Sequence, residues 1–414
     1  MIEKYFTERL DNGMVLLGEE MPNVSSASMM VLTPAGAAHS PADAPGAAAI
    51  GSEWLLRGAG DRDTRGIHDA LDFLGCRHHE AVRSEHISLS AAQLGSNLPD
   101  VLAIYADILR RPGLSDETFE PCRALIEQDL ASLEDEPARK CTLTLREKFF
   151  PPPLGRCVFG DAETLAKTKA SQVREHMAAG VGPAGTILAV AGKIDWQAFR
   201  RQAVDLFENW QGAPGKEIPT TSAPGGVTHI RKDSAQTHIG MAHRSVTIDH
   251  QRYYAARVAE MVLSGGMASR LFTEVREKRG LVYHVSSRYN SLRSCAAMLT
   301  YAGTTPPKAQ ETFEVTVGEL RRLADGVAAD EMDRARTQLK SALVMQGEST
   351  EARAAAMAND WYFLSRLRGL GELSDAIDAV TVDDVMAYLA ERPARDFTIL
   401  VIGPEPIDTS VANE

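Results

Sequence analysis

Both halves of the chain carry the same order of predicted strands and helices, and this duplication limits the fold more than any other feature. The first half opens with a hairpin pattern around Asn12-Gly13 and ends on the apolar segment "GTILAVAGKI". Asn-Gly favours a tight turn because both residues tolerate a positive φ. The second half follows the segment "GAPGKEIPTTSAPGGVT" and ends on "DFTILVIGPEP". The matching order and the matching ends predict one structural unit present twice.

The predicted elements favour an α+β fold with two similar domains. With 414 residues the chain is too long for one ordinary core. Strands and helices mix without a regular βα alternation, which predicts a mostly antiparallel sheet covered by helices on one face in each domain. We expect a first domain over residues 1–212, an exposed linker over 213–227 and a second domain over 228–414.

The charge balance excludes several classes of partner. The formal net charge is -12, whereas binding to nucleic acid or an anionic membrane needs clustered Lys and Arg. No apolar run reaches the roughly 18 residues of a membrane span, and the first residues lack the apolar segment of a signal peptide. We expect a cytoplasmic protein, or a periplasmic or organellar one whose leader has been removed. The five scattered cysteines show no CxxC pairing, so we expect reduced thiols.

The sequence offers no complete motif for a nucleophile, a bound phosphate or a metal. It contains no GxSxG elbow, no GxxxxGK[ST] loop and no GxGxxG fingerprint in the required context. The densest group of metal-binding types is "CRHHEAVRSEH", with His78, His79, Glu80, Glu85 and His86. Side chains alternate faces on a strand, so His78 pairs with Glu80 while His79 points away. This alternation predicts weak pairs and no metal site.

The segment "VREKRGLVYHV" places Arg276 and Tyr283 seven residues apart, with Gly280 between them. Gly280 can end a helix in the left-handed conformation and return Tyr283 towards the helix end that carries Arg276. From the residues alone, the pair is typical of a helix end, where Arg favours the dipole, and of a strand start, where Tyr is common.

The chain as a whole resembles the pitrilysin/insulinase family of metallopeptidases, the inverzincins, in the two-domain form that includes the subunits of mitochondrial processing peptidase. The matching segments are "LDNGMVLLGEEMPNVSSASMMVLTPAGAAHSP", "SLEDEP", "PPPLGRCVFGDAETLAKTKASQVREH" and, most specifically, "LSGGMASRLFTEVREKRGLVYHVSS". In such enzymes two His of an inverted H-x-x-E-H motif and a later Glu hold zinc. The motif Glu acts as the general base, and the fourth position on zinc is left to water.

The zinc motif is degenerate in this chain. The resemblance aligns Ala49 and Glu53 with the two His positions, Ser52 with the general base and Asp129 with the later ligand. Alanine has no lone pair, and an unassisted serine is too weak a base. The resemblance therefore implies no catalytic zinc and no cofactor in this chain, with a loose Mg²⁺ or Ca²⁺ at Glu53 and Asp129 as an alternative.

The resemblance gives the pair Arg276 and Tyr283 a catalytic role. In the family, an Arg and a Tyr at this spacing hydrogen-bond the scissile peptide and stabilise its oxyanion, from a different domain than the zinc. The matching flanks favour this interpretation over a helix end and a strand start.

A chain that keeps the substrate-binding Arg–Tyr pair but lacks the zinc ligands implies a companion subunit. We expect a heterodimer with a homologous zinc-bearing subunit, acting as a zinc endopeptidase on peptides or unfolded polypeptide, with a homodimer as the fallback. The alternative is a catalytically inactive structural or peptide-binding homologue. An autonomous peptidase would need His78, His79 or His86 as replacement ligands, and their strand spacing argues against it.

Overall fold

A computed structural model describes residues 4–212 and 217–413 of the chain. The described residues form two compact units. Unit 1 consists of those in Met1–Ser132, Arg156–Thr220 and Gln346–Gly369. Unit 2 consists of those in Leu133–Gly155, Thr221–Met345 and Leu370–Glu414. Of the predicted linker 213–227, residues 213–216 lie outside the described residues.

Thirteen strands are present in the described residues. In chain order they are β1 (Tyr5–Arg9), β2 (Val15–Glu20), β3 (Ser26–Thr33), β4 (Gly58–Ala59), β5 (Arg62–Asp63), β6 (Arg77–Val82), β7 (Ile87–Leu94), β8 (Ile187–Gly192), β9 (Val227–Arg231), β10 (Thr237–Ser245), β11 (Val282–Ser291), β12 (Ala296–Thr304) and β13 (Thr398–Gly403). The predicted hairpin joins β1 and β2, and Gly13 has a φ of 90° at its turn.

Fourteen α-helices accompany them. In chain order they are α1 (Ala47–Leu55), α2 (Thr64–Phe73), α3 (Leu98–Arg110), α4 (Asp116–Ser132), α5 (Pro137–Phe149), α6 (Ala162–Lys167), α7 (Ala170–Gly180), α8 (Trp196–Phe207), α9 (Tyr253–Ser264), α10 (Ala309–Arg322), α11 (Ala329–Gly347), α12 (Thr350–Leu364), α13 (Leu370–Asp378) and α14 (Val382–Glu391). A π-helical turn spans Phe272–Glu277, and short 3-10 turns occur at Ala37–His39, Gly95–Asn97, Pro306–Lys308, Leu323–Asp325 and Ser410–Asn413. No helix within residues 4–212 and 217–413 combines the length and the apolar character that a membrane crossing requires.

Five strands follow the same order in each of the two large sheets, which confirms the predicted duplication. The sheet of unit 1 has the order β1-β2-β8-β3-β7-β6, and that of unit 2 has the order β11-β12-β10-β13-β9. Read from β9, the second order repeats β2-β8-β3-β7-β6 strand for strand. Within this shared order, the first pair is parallel in both sheets: β2 pairs with β8, and β9 pairs with β13. The other pairs of the shared order are antiparallel.

One helix in each unit comes from the other half of the chain. Helix α12 packs on β3 and β8 of unit 1, where Ala354, Met357 and Ala358 meet Leu17 and Ala189. Helix α5 packs on β10 and β13 of unit 2. Its core residues are Cys141 and Leu145, which meet Ala242, Leu400 and Ile402.

The α+β class with two similar domains is confirmed, and the structure adds detail to it. In unit 2, Ile399 and Val401 face the main helical layer while Leu400 and Ile402 face α5, so both faces of the sheet are covered. The sequence patterns did not reveal strands β4, β5 and β9 or helices α5, α6, α8, α12, α13 and α14. The predicted division into 1–212 and 228–414 takes no account of the two exchanged helices.

Candidate functional site

Arg276 and Tyr283 lie together at the surface of unit 2. The guanidinium carbon of Arg276 is 5.6 Å from the centroid of the Tyr283 ring and 4.8 Å from that of Phe272. The guanidinium therefore lies between two aromatic faces, an arrangement that attracts a cation electrostatically. Arg276 is exposed, and Tyr283 is 84% exposed. The two side chains are held next to each other while their donor atoms remain accessible.

The local backbone brings the pair together through a wide turn and a chain reversal. The amide of Lys278 donates to the carbonyl of Thr273 at 2.9 Å, an i to i−5 bond of the π-helical turn. Single π-turns of this kind are often found at functional sites. Gly280 then takes a φ of 57°, a left-handed conformation that glycine adopts without strain. The amide of Leu281 closes the reversal on the carbonyl of Val275 at 3.0 Å.

Charged side chains fix the π-helical turn to the helices around it. Arg270 makes a two-pronged contact with Glu331, with Nε–Oε1 and Nη2–Oε2 distances both of 2.7 Å. Such fork-to-fork pairs add geometric specificity. The hydrogen bond from Arg270 lowers the pKa of Glu331. Hydrogen bonds from Lys278 and Arg279 likewise lower the pKa of Glu274.

The charge network leaves Arg276 available. Lys278 and Arg279 are both engaged by Glu274, at 2.7 and 2.9 Å. Arg276 makes no ion pair within the described residues, and its contacts there are the two aromatic rings. A guanidinium offers a planar fork of donors, and a phenol offers a neutral donor at pH 7. The pair can therefore donate several hydrogen bonds to one peptide carbonyl or oxyanion.

A cleft of about 400 Å³ adjoins the pair. Its wall includes Arg276, the glycine-containing loop after α9, and the backbone of β11 from His284 to Arg288. Strand β11 is the edge strand of its sheet, so one side of the cleft is a strand edge.

The predicted zinc-motif positions lie in unit 1, mostly on α1. Ala49 is 4% exposed and Ser52 is 3% exposed. The hydroxyl oxygen of Ser52 has no hydrogen-bond partner among the described residues, so no base activates it there. Glu53 forms an i,i+4 ion pair with Arg57, which supplies the positive charge that a metal would otherwise bring to this carboxylate.

The remaining neighbours do not complete a zinc site. Asp129 is exposed on α4 and forms no ion pair there. Cys122, which interacts with Arg57 and Glu53, is buried, and burial raises the pKa of its thiol to about 11, so it is no thiolate ligand at pH 7. Across residues 4–212 and 217–413, no group of three or more His, Cys, Asp or Glu is arranged to hold a metal ion. The donor set therefore does not fit zinc.

The histidine-rich strand β6 behaves as its alternation predicts. His78 Nδ1 lies 3.9 Å from Glu80 Oε2, and the neighbouring carboxylate raises the pKa of His78. His79 is exposed. His86 is half-buried and lies edge-on against the ring of Tyr362 at 4.9 Å, and desolvation lowers its pKa to about 4. These histidines are not gathered around one point.

Three contacts at the two candidate sites were not recognised from the sequence. Phe272 lies four residues before Arg276 and Arg57 lies four residues after Glu53, so the i,i+4 rule could have found both contacts. The pair of Arg270 with Glu331 joins residues 61 apart, and no local pattern signals it.

Two family models match successive parts of the chain. The model described as Insulinase (Peptidase family M16) matches residues 15–161, which contain α1. The model described as Peptidase M16 inactive domain matches residues 169–339, which contain Arg276 and Tyr283.

Curated relatives match over nearly the full length. An uncharacterized zinc protease of Streptomyces coelicolor is 28% identical over 407 residues, which cover 95% of this chain and 88% of that protein. An uncharacterized zinc protease of Rickettsia felis is 27% identical, with 98% of this chain and 99% of that protein covered.

Solved structures share the fold. A Helicobacter pylori protease has a TM-score of 0.90 at 17% identity, covering 98% of this chain and 100% of that one. A peptidase M16 inactive domain from Pseudomonas fluorescens has a TM-score of 0.87 at 20% identity, covering 98% and 99%. A chain of complex III2 from Candida albicans has a TM-score of 0.85 at 18% identity, covering 96% of each chain. Because the two models of this family together match residues 15–161 and 169–339, the chain belongs to the M16, or insulinase, family of metallopeptidases.

Proposed function

We propose that this chain is the non-zinc-binding subunit of a heterodimeric zinc metalloendopeptidase. The observation that carries the proposal is the exposed pair of Arg276 and Tyr283, whose donors are held side by side without a carboxylate partner in the described residues. The pair would bind the substrate peptide and stabilise its oxyanion in the active site of a homologous zinc-bearing subunit.

The geometry suits hydrogen bonding to a carbonyl that gains charge. In the partner, zinc would polarise the scissile carbonyl and activate water. Arg276 would donate to the carbonyl oxygen from a guanidinium already oriented by Phe272 and Tyr283. The Tyr283 hydroxyl would add a second donor. Donors placed in advance cost little reorganisation when charge develops, which is why such groups lower reaction barriers.

The degenerate motif supports the absence of a second catalytic centre in this chain. Glu53 is engaged by Arg57, and Ala49 offers no ligand atom. The same facts suit the alternative, a catalytically inactive structural or peptide-binding homologue. That alternative gives no role to an exposed Arg–Tyr pair, so we rank it second. A cytoplasmic location is part of the proposal, and cell fractionation tests it.

Reconstitution with a relative that carries an intact H-x-x-E-H motif tests the proposal. Tyr283→Phe keeps the ring over Arg276 and removes one donor, so kcat/KM on an unstructured peptide should fall on the order of 10²–10³-fold. Arg276→Ala should cost at least as much. The matched control is Arg244→Ala, which removes an exposed arginine of the same unit that does not line the cleft.

The alternative predicts a different result. If the pair is structural, both variants should lower the melting temperature while turnover per folded complex stays unchanged. Light scattering adds an independent check on assembly. The interface of a stable heterodimer should bury well above roughly 1,000 Å², so the mixed subunits should scatter with the mass of a dimer. A monomer that persists after mixing with zinc-bearing relatives would overturn the proposal.

A further inference from the structure

Two histidines of unit 1 lie side by side although they belong to different elements. His68 is on α2 and His78 is on β6, and their ring centroids are 5.6 Å apart with the ring planes 33° from parallel. Both residues are half-buried, so neither imidazole is enclosed in the core. The alternation of side chains along β6 does not reveal this pair, because the second imidazole comes from the preceding helix.

A tight chain reversal between α2 and β6 positions the two imidazoles. Gly75 has a φ of 60°, the left-handed conformation in which helices often end. The amide of Cys76 donates to the carbonyl of Leu71 at 2.9 Å and closes the reversal. Asn97 Nδ2 donates to the carbonyl of Leu74 at 2.9 Å and attaches the same turn to a neighbouring segment. The backbone therefore sets the spacing of the two rings without help from a ligand.

The spacing suits two imidazoles that share one metal ion. With zinc–nitrogen bonds of about 2.1 Å and a tetrahedral angle, two ligating imidazoles have ring centroids about 5 Å apart. The observed 5.6 Å is close to this value, and a small rotation of either side chain removes the difference. Within residues 4–212 and 217–413, His68 makes no hydrogen bond or ion pair, and its ring contact is with His78. Its imidazole is therefore available as a ligand.

Negative charges beside the pair favour a bound cation. Glu80 Oε2 lies 3.9 Å from His78 Nδ1. Metal-binding histidines commonly have a carboxylate at the ring nitrogen that does not bind the metal, so Nε2 of His78 is the nitrogen left for the ion. Asp72 follows His68 by one turn of α2, and its charge also acts on His78.

We propose that His68 and His78 together bind one divalent transition metal ion, that Zn²⁺ is the ion their spacing fits, and that water completes its coordination. The site lies in unit 1 and does not depend on the proposed role of Arg276 and Tyr283. Two protein ligands are fewer than a structural or catalytic zinc centre uses, so the ion should exchange readily and be lost on dialysis. A two-ligand site also agrees with the absence of any metal-binding group of three or more residues in the described part of the chain.

Titration of the metal-free chain with Zn²⁺ tests the site. Isothermal titration calorimetry should show a saturable site in the wild type. Loss of an outer partner of a metal ligand already costs about 10–100-fold in affinity, so Glu80→Gln should weaken binding about tenfold and His68→Gln or His78→Gln by more. His79→Gln is the matched control, because it removes an exposed imidazole of the same strand. Equal affinity in the wild type and His68→Gln, or an equal loss in His79→Gln, would overturn the proposal.

Two further measurements identify the ligands. The imidazole NMR signals of His68 and His78 should shift together when Zn²⁺ is added, whereas those of His79 should not move. Excess Mg²⁺ prefers oxygen ligands and should not displace the Zn²⁺. Displacement by Mg²⁺ would show that carboxylates hold the ion, and it would contradict a histidine site.

A bound ion should also stabilise the native chain, because it links α2 to β6, the edge strand of its sheet. Zn²⁺ should raise the melting temperature of the wild type and of His79→Gln by the same amount, and it should leave that of His68→Gln unchanged. An equal rise in His68→Gln would assign the stabilising ion to another place and reject the pair as its site. These measurements use the chain alone, so failure of the heterodimer proposal does not affect their outcome.

Discussion

At the scale of single residues, the two candidate sites of this chain differ in how their polar groups are satisfied. Arg276 has aromatic contacts that orient it and donors that stay exposed. Ser52, at the position aligned with a general base, is 3% exposed and has no hydrogen-bond partner among the described residues. The first arrangement is ready to bind a ligand from outside. The second leaves a buried hydroxyl that costs stability.

Replacing Ser52 should therefore stabilise the protein. A buried, unsatisfied hydroxyl carries a desolvation cost of about 1–3 kcal/mol, so Ser52→Ala should raise the free energy of unfolding by about 1 kcal/mol. Ser28→Ala is the matched control, because Ser28 is equally buried but its Oγ lies 2.8 Å from Thr350 Oγ1. That variant should lower the free energy of unfolding. Urea denaturation measures both, and a clear loss of stability in Ser52→Ala would refute the assignment.

Buried histidines should make the fold sensitive to acid. Burial lowers the pKa of His243 to about 4, and it lowers the pKa of His176 in the same way. An unfolded histidine has a pKa of about 6.5, so below that pH the unfolded chain binds protons that the native chain does not. The contribution of these histidines to the free energy of unfolding has its full value above about pH 6.5 and is lost as the pH drops towards 4. Each histidine can contribute up to about 3 kcal/mol to this loss.

The slope of the unfolding free energy against pH shows whether a single histidine causes the pH dependence. His243→Gln should flatten the change in unfolding free energy between pH 5 and pH 7, whatever its effect at neutral pH. His79→Gln, at an exposed position, should leave the slope unchanged. Equal slopes in the wild type and His243→Gln would show that His243 does not carry the effect.

The sequence reveals single-residue contacts only where they are local. The spacing of Arg276 and Tyr283 around Gly280 predicts that the chain reverses and brings them together, and the φ of 57° at Gly280 agrees. The contact of Arg57 with Glu53 is also local, because the two residues are four apart at the end of α1. In contrast, the pairing of Arg270 with Glu331 depends on how the end of α10 meets the start of α11, which is decided by packing.

At the scale of elements, the exchanged helices α5 and α12 explain what the sequence patterns missed. A helix is recognised from its own apolar face, but the surface that receives α12 is formed by β2, β3 and β8 of the first half. The patterns do predict every strand of the two large sheets except β9, because alternation is a local property. They cannot assign α12 to a sheet more than 150 residues away.

A buried ion pair anchors α12 to its sheet and gives the exchange a test. Arg353 donates to Glu19 Oε2 at 2.8 Å, with side chains only 3% and 7% exposed. Arg353→Met should cost about 3–5 kcal/mol, because it removes the guanidinium that pairs with the buried carboxylate of Glu19. Adding Glu19→Leu should recover most of the loss. The exposed pair of Arg77 with Glu351 is the control, and Glu351→Gln should cost less than about 1 kcal/mol.

Thermal unfolding and limited proteolysis of α12 would report the outcome. If Arg353→Met unfolds no more readily than Glu351→Gln, the ion pair does not hold the helix to the sheet. If the double variant remains as unstable as Arg353→Met, the cost comes from packing and not from the loss of the ion pair.

At the scale of the whole molecule, duplication has separated structure from chemistry. Both units have the same five-strand order, and in each unit a helix from the other half of the chain packs on the sheet. Unit 1 carries Ala49, Ser52 and Glu53, the residues that the family resemblance aligns with a zinc motif. Unit 2 carries the exposed pair of Arg276 and Tyr283. A shared fold therefore does not assign a reaction, and the argument for function depends on these few side chains.

The last prediction concerns the metal content of the purified chain. Because Ala49 has no donor atom and Glu53 is engaged by Arg57, the chain alone should hold well below one zinc per molecule and show no peptidase activity. Replacing Ala49 and Glu53 with His, and Ser52 and Asp129 with Glu, restores the three-ligand set with its base and should bring tightly bound zinc. Elemental analysis after dialysis measures both proteins. One zinc in the wild type, lost together with activity on chelation, would reject the companion-subunit proposal, whereas failure of the restored variant alone would reject the alignment of these four positions.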